Sequence, residues 1–296
     1  MTWRAHITNE AAPPEGGRFA AILGASPSKG ARSPQLWNAV FERSGDAARM
    51  ICLDIPDEQA LSSVLAGLDS DPAFIGGAAT MPYKEAIARR LGPDRLTPEA
   101  ARIGAVNCLY RGEDGTLMGA NTDGEGALAS LTGQVGSIDG KRALLIGPGG
   151  AGKAVAAFLA SAGCAVTIAA RRPETAAAFA EAIGAEIIPL PVDARALSGM
   201  DLLVNCTPLG FAQTDPTASP VEPEALSALA RDACIFDVIY DPAETPLLGA
   251  ARALGLRTLN GSEMNLEQAV LGFLKATPSA DPSIVRETMA AARAAA

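Results

Sequence analysis

The chain carries ALLIGPGGAG at Ala143–Gly152, a short apolar run followed directly by a glycine-rich turn. Helical periodicity follows at once, with Val155, Phe158 and Leu159 on one face and Gly163 as the boundary. A strand, a glycine turn and a helix in this order are typical of a dinucleotide-binding unit. The stretch therefore predicts a nucleotide site at the start of a helix in an α/β domain.

The five residues at the centre of this turn are predicted to bind the cofactor. Gly147 permits the tight turn, Gly149 lets the backbone approach a pyrophosphate, and Gly152 lets the helix and strand pack closely. With Gly150 and Ala151 they place phosphates at the helix N-terminus, where free N–H groups and the positive end of the helix dipole lie. A glycine turn alone is weak evidence, but the segments on both sides of it favour nucleotide binding.

The residues after the next predicted strand, Ala165–Ala170, indicate which nucleotide binds. An NAD site places an acidic side chain about 20 residues beyond the turn, where it accepts a hydrogen bond from the ribose 2′-hydroxyl. No acidic residue occurs here before Glu174, and Arg171 and Arg172 stand in its place. Guanidinium groups suit a 2′-phosphate by charge and geometry. The pattern favours NADP over NAD, and the alternative is a solvated pair that caps the next helix.

The composition indicates a substantial core and few kinds of macromolecular partner. The 296 residues can form one large or two ordinary domains, with 48% hydrophobic and 19% charged residues. A net charge of −9 argues against nucleic acid and anionic membrane as partners. No apolar run approaches the roughly 20 residues of a membrane helix, and residues 1–17 lack the apolar core of a signal peptide. We expect residues 1–17, the lead-in, to be loosely ordered. We also expect the protein to be cytoplasmic, to bind small molecules, and to be a monomer or homodimer.

The scarcity of histidine restricts the chemistry. His6 is the only histidine, and it lies in the lead-in. A Ser-His-Asp or Cys-His mechanism is therefore disfavoured, and we predict no metal site. The five cysteines are scattered and odd in number, which indicates buried free thiols rather than a disulfide framework. Proton transfer must come from Lys, Asp, Glu, Tyr or Cys.

The first part of the chain alternates predicted strands and helices. Strands are predicted at Phe19–Gly24, Arg49–Ile55 and Phe74–Thr80, and the intervening segments have helical periodicity. Ser33 is a natural N-cap and Pro34 a first-turn proline for the first of these helices. This succession implies a parallel sheet with helices packed on it.

The remaining strands form a hairpin before the glycine turn and a second α/β unit around and after it. A hairpin is predicted from Ala105–Arg111 and Thr116–Ala120, and two strands after the glycine turn from Asp201–Cys206 and Ile235–Val238. Ligands bind at the carboxyl edge of open parallel sheets. We predict a two-domain α/β protein with its cleft between the carboxyl edges of the two sheets.

The predicted domains are unequal in type. Residues 1–123 plus 264–296 are expected to form an N-terminal α/β substrate domain, and residues 124–263 a Rossmann-type, doubly wound NADP domain. The C-terminal helices show no strand of their own, and for that reason we expect them to return to the first domain. Their alanine-rich end is expected to fray.

Several short motifs, taken in order along the chain, resemble those of the shikimate dehydrogenase family. The resemblance extends over nearly the whole chain from about Phe19 onward. The matching motifs are S-P (Ser33-Pro34), T-x-P-x-K (Thr80–Lys84), A-V-N (Ala105–Asn107), N-T-D-G (Asn121–Gly124), GPGGAG (Gly147–Gly152), N-x-T-P-L-G (Asn205–Gly210), Tyr240 and Gln268. Ordered motifs with matching gaps are far more specific than any one of them.

The resemblance implies an NADP-dependent oxidoreductase that interconverts shikimate and its 3-dehydro ketone by hydride transfer, in the chorismate pathway of aromatic amino acid biosynthesis. Carried over by motif, Lys84 is the acid/base and Asp123 its paired carboxylate. Hydride loss from a carbinol carbon must be matched by proton loss from its oxygen, and a cationic group stabilises the developing charge. The alternative for Lys84 alone is a surface lysine in the first turn of a helix.

The same resemblance implies the other site residues. Ser33 is expected to bind the substrate carboxylate, and Thr80, Asn107, Tyr240 and Gln268 are expected to bind ring hydroxyls. For each of these alone, a capping or packing role is nearly as good an interpretation. The cofactor-binding residues implied beyond the glycine turn are Arg171, Arg172, Thr207, Pro208, Leu209, Val238, Gly261 and Met264.

Two departures from the family pattern leave the ring substrate open. Ala31 stands where the family usually has the first serine of S-x-S-P, and Ala78 stands where it has an asparagine. Ser28 or Lys29, in a loop that is longer than usual, could reach in instead. Each missing hydrogen-bond partner would cost roughly 1–3 kcal/mol. The alternatives are a paralogue for quinate or aminoshikimate, a non-catalytic NADP-binding regulator and, less favoured, an oxidoreductase of similar plan for another substrate.

Overall fold

The computed structural model describes residues 3–295 and divides the chain into two compact units. The first unit comprises the described residues of Met1–Thr122 and Gln268–Ala296, and the second is Asp123–Glu267. The first boundary falls directly before Asp123, and the second lies inside the helix that contains Gln268.

A mixed five-stranded sheet forms the centre of the first unit. In spatial order its strands are β2 (Arg49–Asp54), β1 (Phe19–Gly24), β3 (Phe74–Ala79), β4 (Cys108–Arg111) and β5 (Leu117–Ala120). The first three are parallel, whereas β4 and β5 form an antiparallel hairpin that pairs with β3. The predicted parallel succession and the predicted hairpin are confirmed, and the strand ends move by a few residues.

Helices pack on this sheet with their apolar faces inward. Those lying wholly in the first unit are α1 (Ser33–Ser44), α2 (Glu58–Asp69), α3 (Lys84–Leu91), α4 (Pro98–Ile103) and α11 (Pro282–Ala294). Helix α1 buries Trp37 and Phe41, whose rings lie 5.1 Å from the ring of Phe273 in α10 (Ser262–Ala276). The C-terminal part of the chain thereby contributes to the core of the first unit.

Two local predictions are wrong. Ser33 is the first residue of α1 rather than its N-cap. The lead-in is not loose, because Trp3 is fully buried with its ring 5.6 Å from the ring of Phe19. The Thr8 N–H also donates to the Asp54 carbonyl at 2.8 Å. Both contacts join residues far apart in sequence, which no local pattern predicts.

An all-parallel six-stranded sheet forms the centre of the second unit. In spatial order its strands are β11 (Arg257–Leu259), β10 (Cys234–Asp237), β9 (Leu202–Asn205), β6 (Arg142–Ile146), β7 (Ala165–Ala170) and β8 (Glu186–Pro189). The chain runs outward from β6 through β7 and β8, then returns to β9 on the other side. This is the doubly wound Rossmann order, and the predicted fold class is confirmed.

Both faces of this sheet are covered by helices. The helices of the second unit are α5 (Asp123–Val135), α6 (Gly150–Ser161), α7 (Ala177–Ala182), α8 (Ala194–Leu197), α9 (Pro246–Ala253) and the start of α10. Adjacent residues of β6 belong to different cores, with Leu145 in one apolar cluster and Leu144 in the other. A strand buried on both faces has an almost continuous apolar sequence, which explains the run before the glycine turn. Within residues 3–295, no helix combines the length and apolarity of a membrane span.

Candidate active site

The crevice between β6 and β9 is the natural ligand site of the second unit. Strand β6 is the point from which the chain proceeds in both directions, and ligands of open parallel sheets bind at the carboxyl end of this switch point. Two loops follow these strands on the two sides of the crevice. One is the glycine turn that begins at Gly147, and the other begins at Cys206.

The glycine turn has the close contacts that its sequence predicts. Gly147 has φ +93°, a backbone conformation that favours glycine. A Cβ at Gly152 would lie 2.0 Å from the Gly147 carbonyl oxygen, so only glycine fits at this first turn of α6. By contrast, a Cβ at Gly149 would meet no atom within 4 Å, because this N-cap residue is exposed at the open side of the turn.

The residues around this turn fit a dinucleotide with a 2′-phosphate. The first turn of α6 contains Gly150, Ala151 and Gly152, and helix geometry leaves their N–H groups without carbonyl acceptors four residues back. Arg171 and Arg172 are exposed directly after β7, the strand adjacent to β6. The Arg172 side chain makes no capping bond to the short helix that follows, although capping was the alternative interpretation.

The loop after β9 is closed by the side chain of Asn205, which is fully buried. Its carbonyl oxygen accepts hydrogen bonds from the Thr207 N–H at 2.9 Å and the Thr207 hydroxyl at 2.7 Å. Its amide group donates to the Leu209 carbonyl at 3.3 Å. Pro208 and Leu209 at the loop tip are exposed. The predicted residues Thr207, Pro208 and Leu209 therefore occupy the side of the crevice opposite the glycine turn.

The residues predicted after β10 also lie at the carboxyl end of the sheet. The Val238 N–H donates to the Asn205 carbonyl at 3.0 Å, and the Gly261 N–H donates to the Ile239 carbonyl at 2.9 Å. A Cβ at Gly261 would lie 1.9 Å from the Val238 carbonyl oxygen, so this approach requires glycine. Met264 is 6% exposed and packs in the core, and Tyr240 is half-buried.

A small, narrow cavity lies in the first unit. It is lined by Ser33, Trp37, Gly77, Ala78, Asn107, Cys108, Thr122, Gln268, Ala269 and Gly272. Three of the predicted substrate-binding residues therefore share one cavity, although they come from α1, the start of the hairpin and α10. The polar side chains of its wall are two hydroxyls, two amides, the Trp37 indole and the Cys108 thiol, and the wall contains no carboxylate, ammonium or guanidinium group.

Hydrogen bonds among these polar residues fix their orientation. The Asn107 amide donates to the Thr122 hydroxyl at 3.0 Å and to the Gln268 side-chain carbonyl at 3.4 Å. The Thr122 N–H donates to the Asn107 side-chain carbonyl at 2.7 Å, and its hydroxyl donates to the Gln268 main-chain carbonyl at 3.0 Å. Thr122 was not among the predicted site residues. The sequence feature that could have identified Thr122 is its position in the N-T-D-G motif, directly before Asp123.

Thr80 and Lys84 lie in the first unit but outside the wall of this cavity. Thr80 follows β3, and Lys84 is the half-buried first residue of α3, whose carbonyl accepts from the Val106 N–H at 2.9 Å. Asp123 is the first residue of α5 in the second unit and is 5% exposed. The pairing of Lys84 with Asp123 stays a prediction.

Ser28 has a structural partner of its own. Its N–H donates to one Asp54 carboxylate oxygen at 3.0 Å, and its hydroxyl donates to the other at 2.5 Å. Because its only hydroxyl proton is used in this way, Ser28 is a poor replacement for the serine absent at Ala31. Ala78 lines the cavity, so the second departure from the family pattern is at the cavity wall itself.

Comparison with known proteins assigns the family. Residues 23–109 match the shikimate dehydrogenase substrate binding domain, and residues 129–211 match the shikimate/quinate 5-dehydrogenase domain. The chain is 38% identical to the shikimate dehydrogenase (NADP(+)) of Acidiphilium cryptum over 92% of this chain and 96% of that protein.

Solved structures agree with this assignment. Shikimate 5-dehydrogenase from Thermus thermophilus, in complex with NADP(H) and shikimate, is 35% identical with a TM-score of 0.77 over 93% of this chain and 99% of its own. Quinate dehydrogenase from Corynebacterium glutamicum, in complex with NAD, is 30% identical with a TM-score of 0.77 over 93% of this chain and 99% of its own. The chain therefore belongs to the shikimate dehydrogenase family.

Proposed function

We propose that the chain is an NADP-dependent dehydrogenase that interconverts shikimate, or a close ring hydroxy acid, and the corresponding 3-dehydro ketone. The observation that carries this proposal is the presence in one chain of a Rossmann crevice, with arginines after β7, and a cavity lined by neutral hydrogen-bonding groups. Such groups suit the hydroxyls of a small ring. The two shikimate dehydrogenases named above support the same activity.

The proposed mechanism assigns the proton to Lys84. NADP, held at the glycine turn and Arg171, would supply the hydride acceptor for the alcohol carbon when bound. Lys84 takes the hydroxyl proton in that direction and returns it in the other, and Asp123 holds the ammonium group in place. The helix dipole disfavours a cation at the N-terminus of a helix. Lys84 is the first residue of α3, so helix stability does not explain its presence there.

The other polar residues of the first unit orient the ring. Asn107, Thr122 and Gln268 are pre-positioned by their mutual hydrogen bonds, so ordering them on binding costs little. Ser33 would bind the carboxylate at the start of α1, and Thr80 a ring hydroxyl at the end of β3. From the second unit, Tyr240 is proposed to bind the substrate.

Replacement of Lys84 by alanine tests this mechanism. Lys84→Ala should lower kcat by roughly 10²- to 10⁴-fold, because it removes a general acid–base group. Its affinity for NADP, measured by calorimetry, should not change. Lys275→Ala removes the same charge from α10 of the first unit, outside the cavity wall, and should keep the activity of the unaltered protein. Unchanged turnover of Lys84→Ala would contradict the acid–base role.

A second candidate substrate class is favoured by Ala78 in the cavity wall. Loss of a buried hydrogen-bond partner at that position weakens the binding of the hydroxyl it would have contacted, and quinate or aminoshikimate differ from shikimate in ring substituents. Comparison of kcat/KM for shikimate, quinate and aminoshikimate with NADP decides between them. No cofactor reduction with any of the three would favour the non-catalytic regulator.

We further propose that the protein acts in the cytoplasm on free small molecules, as a monomer or homodimer. Its five cysteines are free thiols, which is typical of a reducing compartment. Its net charge of −9 disfavours nucleic acid and anionic membrane as partners. Light scattering in solution decides the oligomeric state.

A further inference from the structure

The buried carboxylate of Asp237, at the end of β10, is used by no step proposed above. It is 0% exposed, and three donors surround it. One oxygen accepts from the Asn205 amide and the Ile239 N–H, both at 3.1 Å, and the other accepts from the Thr245 hydroxyl at 2.7 Å. Burial raises the pKa of this carboxyl to about 6, and the three hydrogen bonds oppose that effect. A carboxylate that is costly to bury needs a reason to be there.

The Asn205 amide links this carboxylate to the loop after β9. The Asn205 carbonyl oxygen is turned toward the Thr207 N–H, which can only donate, so its amide nitrogen must face acceptors. Those acceptors are Asp237 and the Leu209 carbonyl. Asp237 therefore holds the one amide orientation that closes the loop from Thr207 to Leu209.

The same loop contacts the glycine turn. A Cβ at Gly147 would lie 2.6 Å from the Thr207 methyl carbon and 3.2 Å from its backbone nitrogen, so Thr207 packs directly against that residue. Strands β6 and β9 are neighbours in the sheet, and their loops form the two walls of the switch-point crevice. Displacement of Thr207 would change the wall opposite the phosphate-binding turn.

We propose that Asp237 is a positioning residue for the cofactor: through Asn205 it holds Thr207–Leu209 in the orientation that receives the nicotinamide half of NADP. This inference rests on the proposed function. Asp237 touches neither cofactor nor substrate and acts on the loop alone. The adenosine half, at Arg171 and the first turn of α6, is independent of this linkage.

Two ligands separate positioning from general damage to the fold. Asp237→Ala should bind NADP about tenfold more weakly, the effect of one lost hydrogen-bonding anchor. Its affinity for adenosine 2′,5′-bisphosphate, which lacks the nicotinamide half, should change less than about twofold. Both are measured by calorimetry and need no substrate. Equal weakening of the two ligands would overturn the inference.

Three further variants test the route through Asn205. Asn205→Ala should change the ratio of the affinities for NADP and adenosine 2′,5′-bisphosphate by as much as Asp237→Ala does. The double variant of Asn205→Ala and Asp237→Ala should change this ratio no further. Asp237→Asn keeps a carbonyl oxygen for Asn205 and should restore NADP affinity to within about threefold of the unaltered protein. Additive effects in the double variant, or no recovery in Asp237→Asn, would overturn the inference. If Asp237→Ala does not fold, Asn205→Ala and Asp237→Asn carry the test.

The matched control acts on the other carboxylate oxygen. Thr245→Val removes the 2.7 Å bond to Asp237 and the N-cap of α9, so it should lower stability without changing the ratio of the two affinities. A change of ratio like that of Asp237→Ala would overturn the route through Asn205. An unaltered protein that binds neither ligand contradicts the proposed function and this inference with it. If the unaltered protein binds both ligands but the variants do not change the two affinities as predicted, the inference alone is contradicted.

Discussion

Arg171 and Arg172 are exposed at the end of β7, where an NAD-binding unit has an acidic residue. Nothing in the packing of the second unit requires two adjacent guanidinium groups at this position, and Arg172 makes no capping bond. A phosphate on the ribose 2′-oxygen is the ligand feature that would use them. We therefore propose that these two residues set the cofactor preference, and we expect a substitution there to change it without altering the fold.

Arg171→Asp should shift the preference from NADP toward NAD. Loss of a charge-assisted bond of about 1.5–3 kcal/mol, together with repulsion of the 2′-phosphate, predicts roughly a ten- to hundredfold fall in kcat/KM for NADP relative to NAD. Arg195→Asp makes the same charge change at another exposed site of the second unit and should leave the ratio unchanged. If Arg171→Asp left the ratio of kcat/KM for NADP and NAD unaltered, recognition of the 2′-phosphate by the charge of Arg171 would be contradicted.

Two buried aspartates have the same relation to a neighbouring loop. Asp54, at the end of β2, binds Ser28 in the loop after the adjacent β1. Asp237, at the end of β10, binds Asn205 at the end of the adjacent β9. In each unit a buried carboxylate thus accepts a hydrogen bond from a residue at or beyond the end of the neighbouring strand, at the carboxyl edge of the sheet. The sequence did not indicate either pair, because each forms only when two strands that are distant in the chain become neighbours.

In the glycine turn, some glycines are required by the packing of the fold, and others are not. Gly152 has no room for a Cβ because of the Gly147 carbonyl. Gly149 has φ −76° and open space around it, so the fold itself would accept alanine there. We therefore propose that the absence of a side chain at Gly149 serves the approach of phosphates to the backbone.

Gly149→Ala should weaken NADP binding at least tenfold and leave the thermal midpoint within about 2 °C, because a methyl group would occupy ligand space and no protein space. Gly133→Ala lies in α5, also without an atom within 4 Å, and should raise stability by up to about 1 kcal/mol with unchanged NADP affinity. Differential scanning fluorimetry and calorimetry measure both quantities. Normal NADP binding by Gly149→Ala would contradict the close approach of phosphates.

Sequence patterns predict the buried elements better than the edge elements. Strands β1 and β7 begin and end at the predicted residues, because fully buried strands have continuous apolar sequences. Strands β8 and β11 were not predicted. They are short edge strands with half-exposed residues, so their sequences carry little periodicity. Their position is set by pairing with β7 and β10.

At the scale of the molecule, the cavity of the first unit is made by distant parts of the chain. Motif order predicted Ser33, Asn107 and Gln268 as site residues, and the fold brings all three to one cavity. Trp37 and Cys108 in the same wall were not predicted, since an apolar residue on a helix or strand has the pattern of any core residue. Family motifs predict polar site residues, whereas only the three-dimensional structure shows which apolar residues lie beside them.

The return of the C-terminal helices to the first unit has a measurable consequence. Met289 in α11 is fully buried, and α11 packs against α1. Met289→Ala should lower the stability of the first unit by about 2–5 kcal/mol, the usual cost of such a cavity. Denaturant unfolding followed by tryptophan fluorescence reports this unit, because both Trp3 and Trp37 lie in it.

Ile284→Ala, an exposed position of the same helix, should change the denaturation midpoint little. At temperatures where Met289→Ala remains folded, its affinity for adenosine 2′,5′-bisphosphate should equal that of the unaltered protein, since α6 and β7 belong to the other unit. If Met289→Ala left the denaturation midpoint seen by tryptophan fluorescence unchanged, α11 would contribute nothing to the core of the first unit. Weakened nucleotide binding by the folded variant would show that the second unit depends on it.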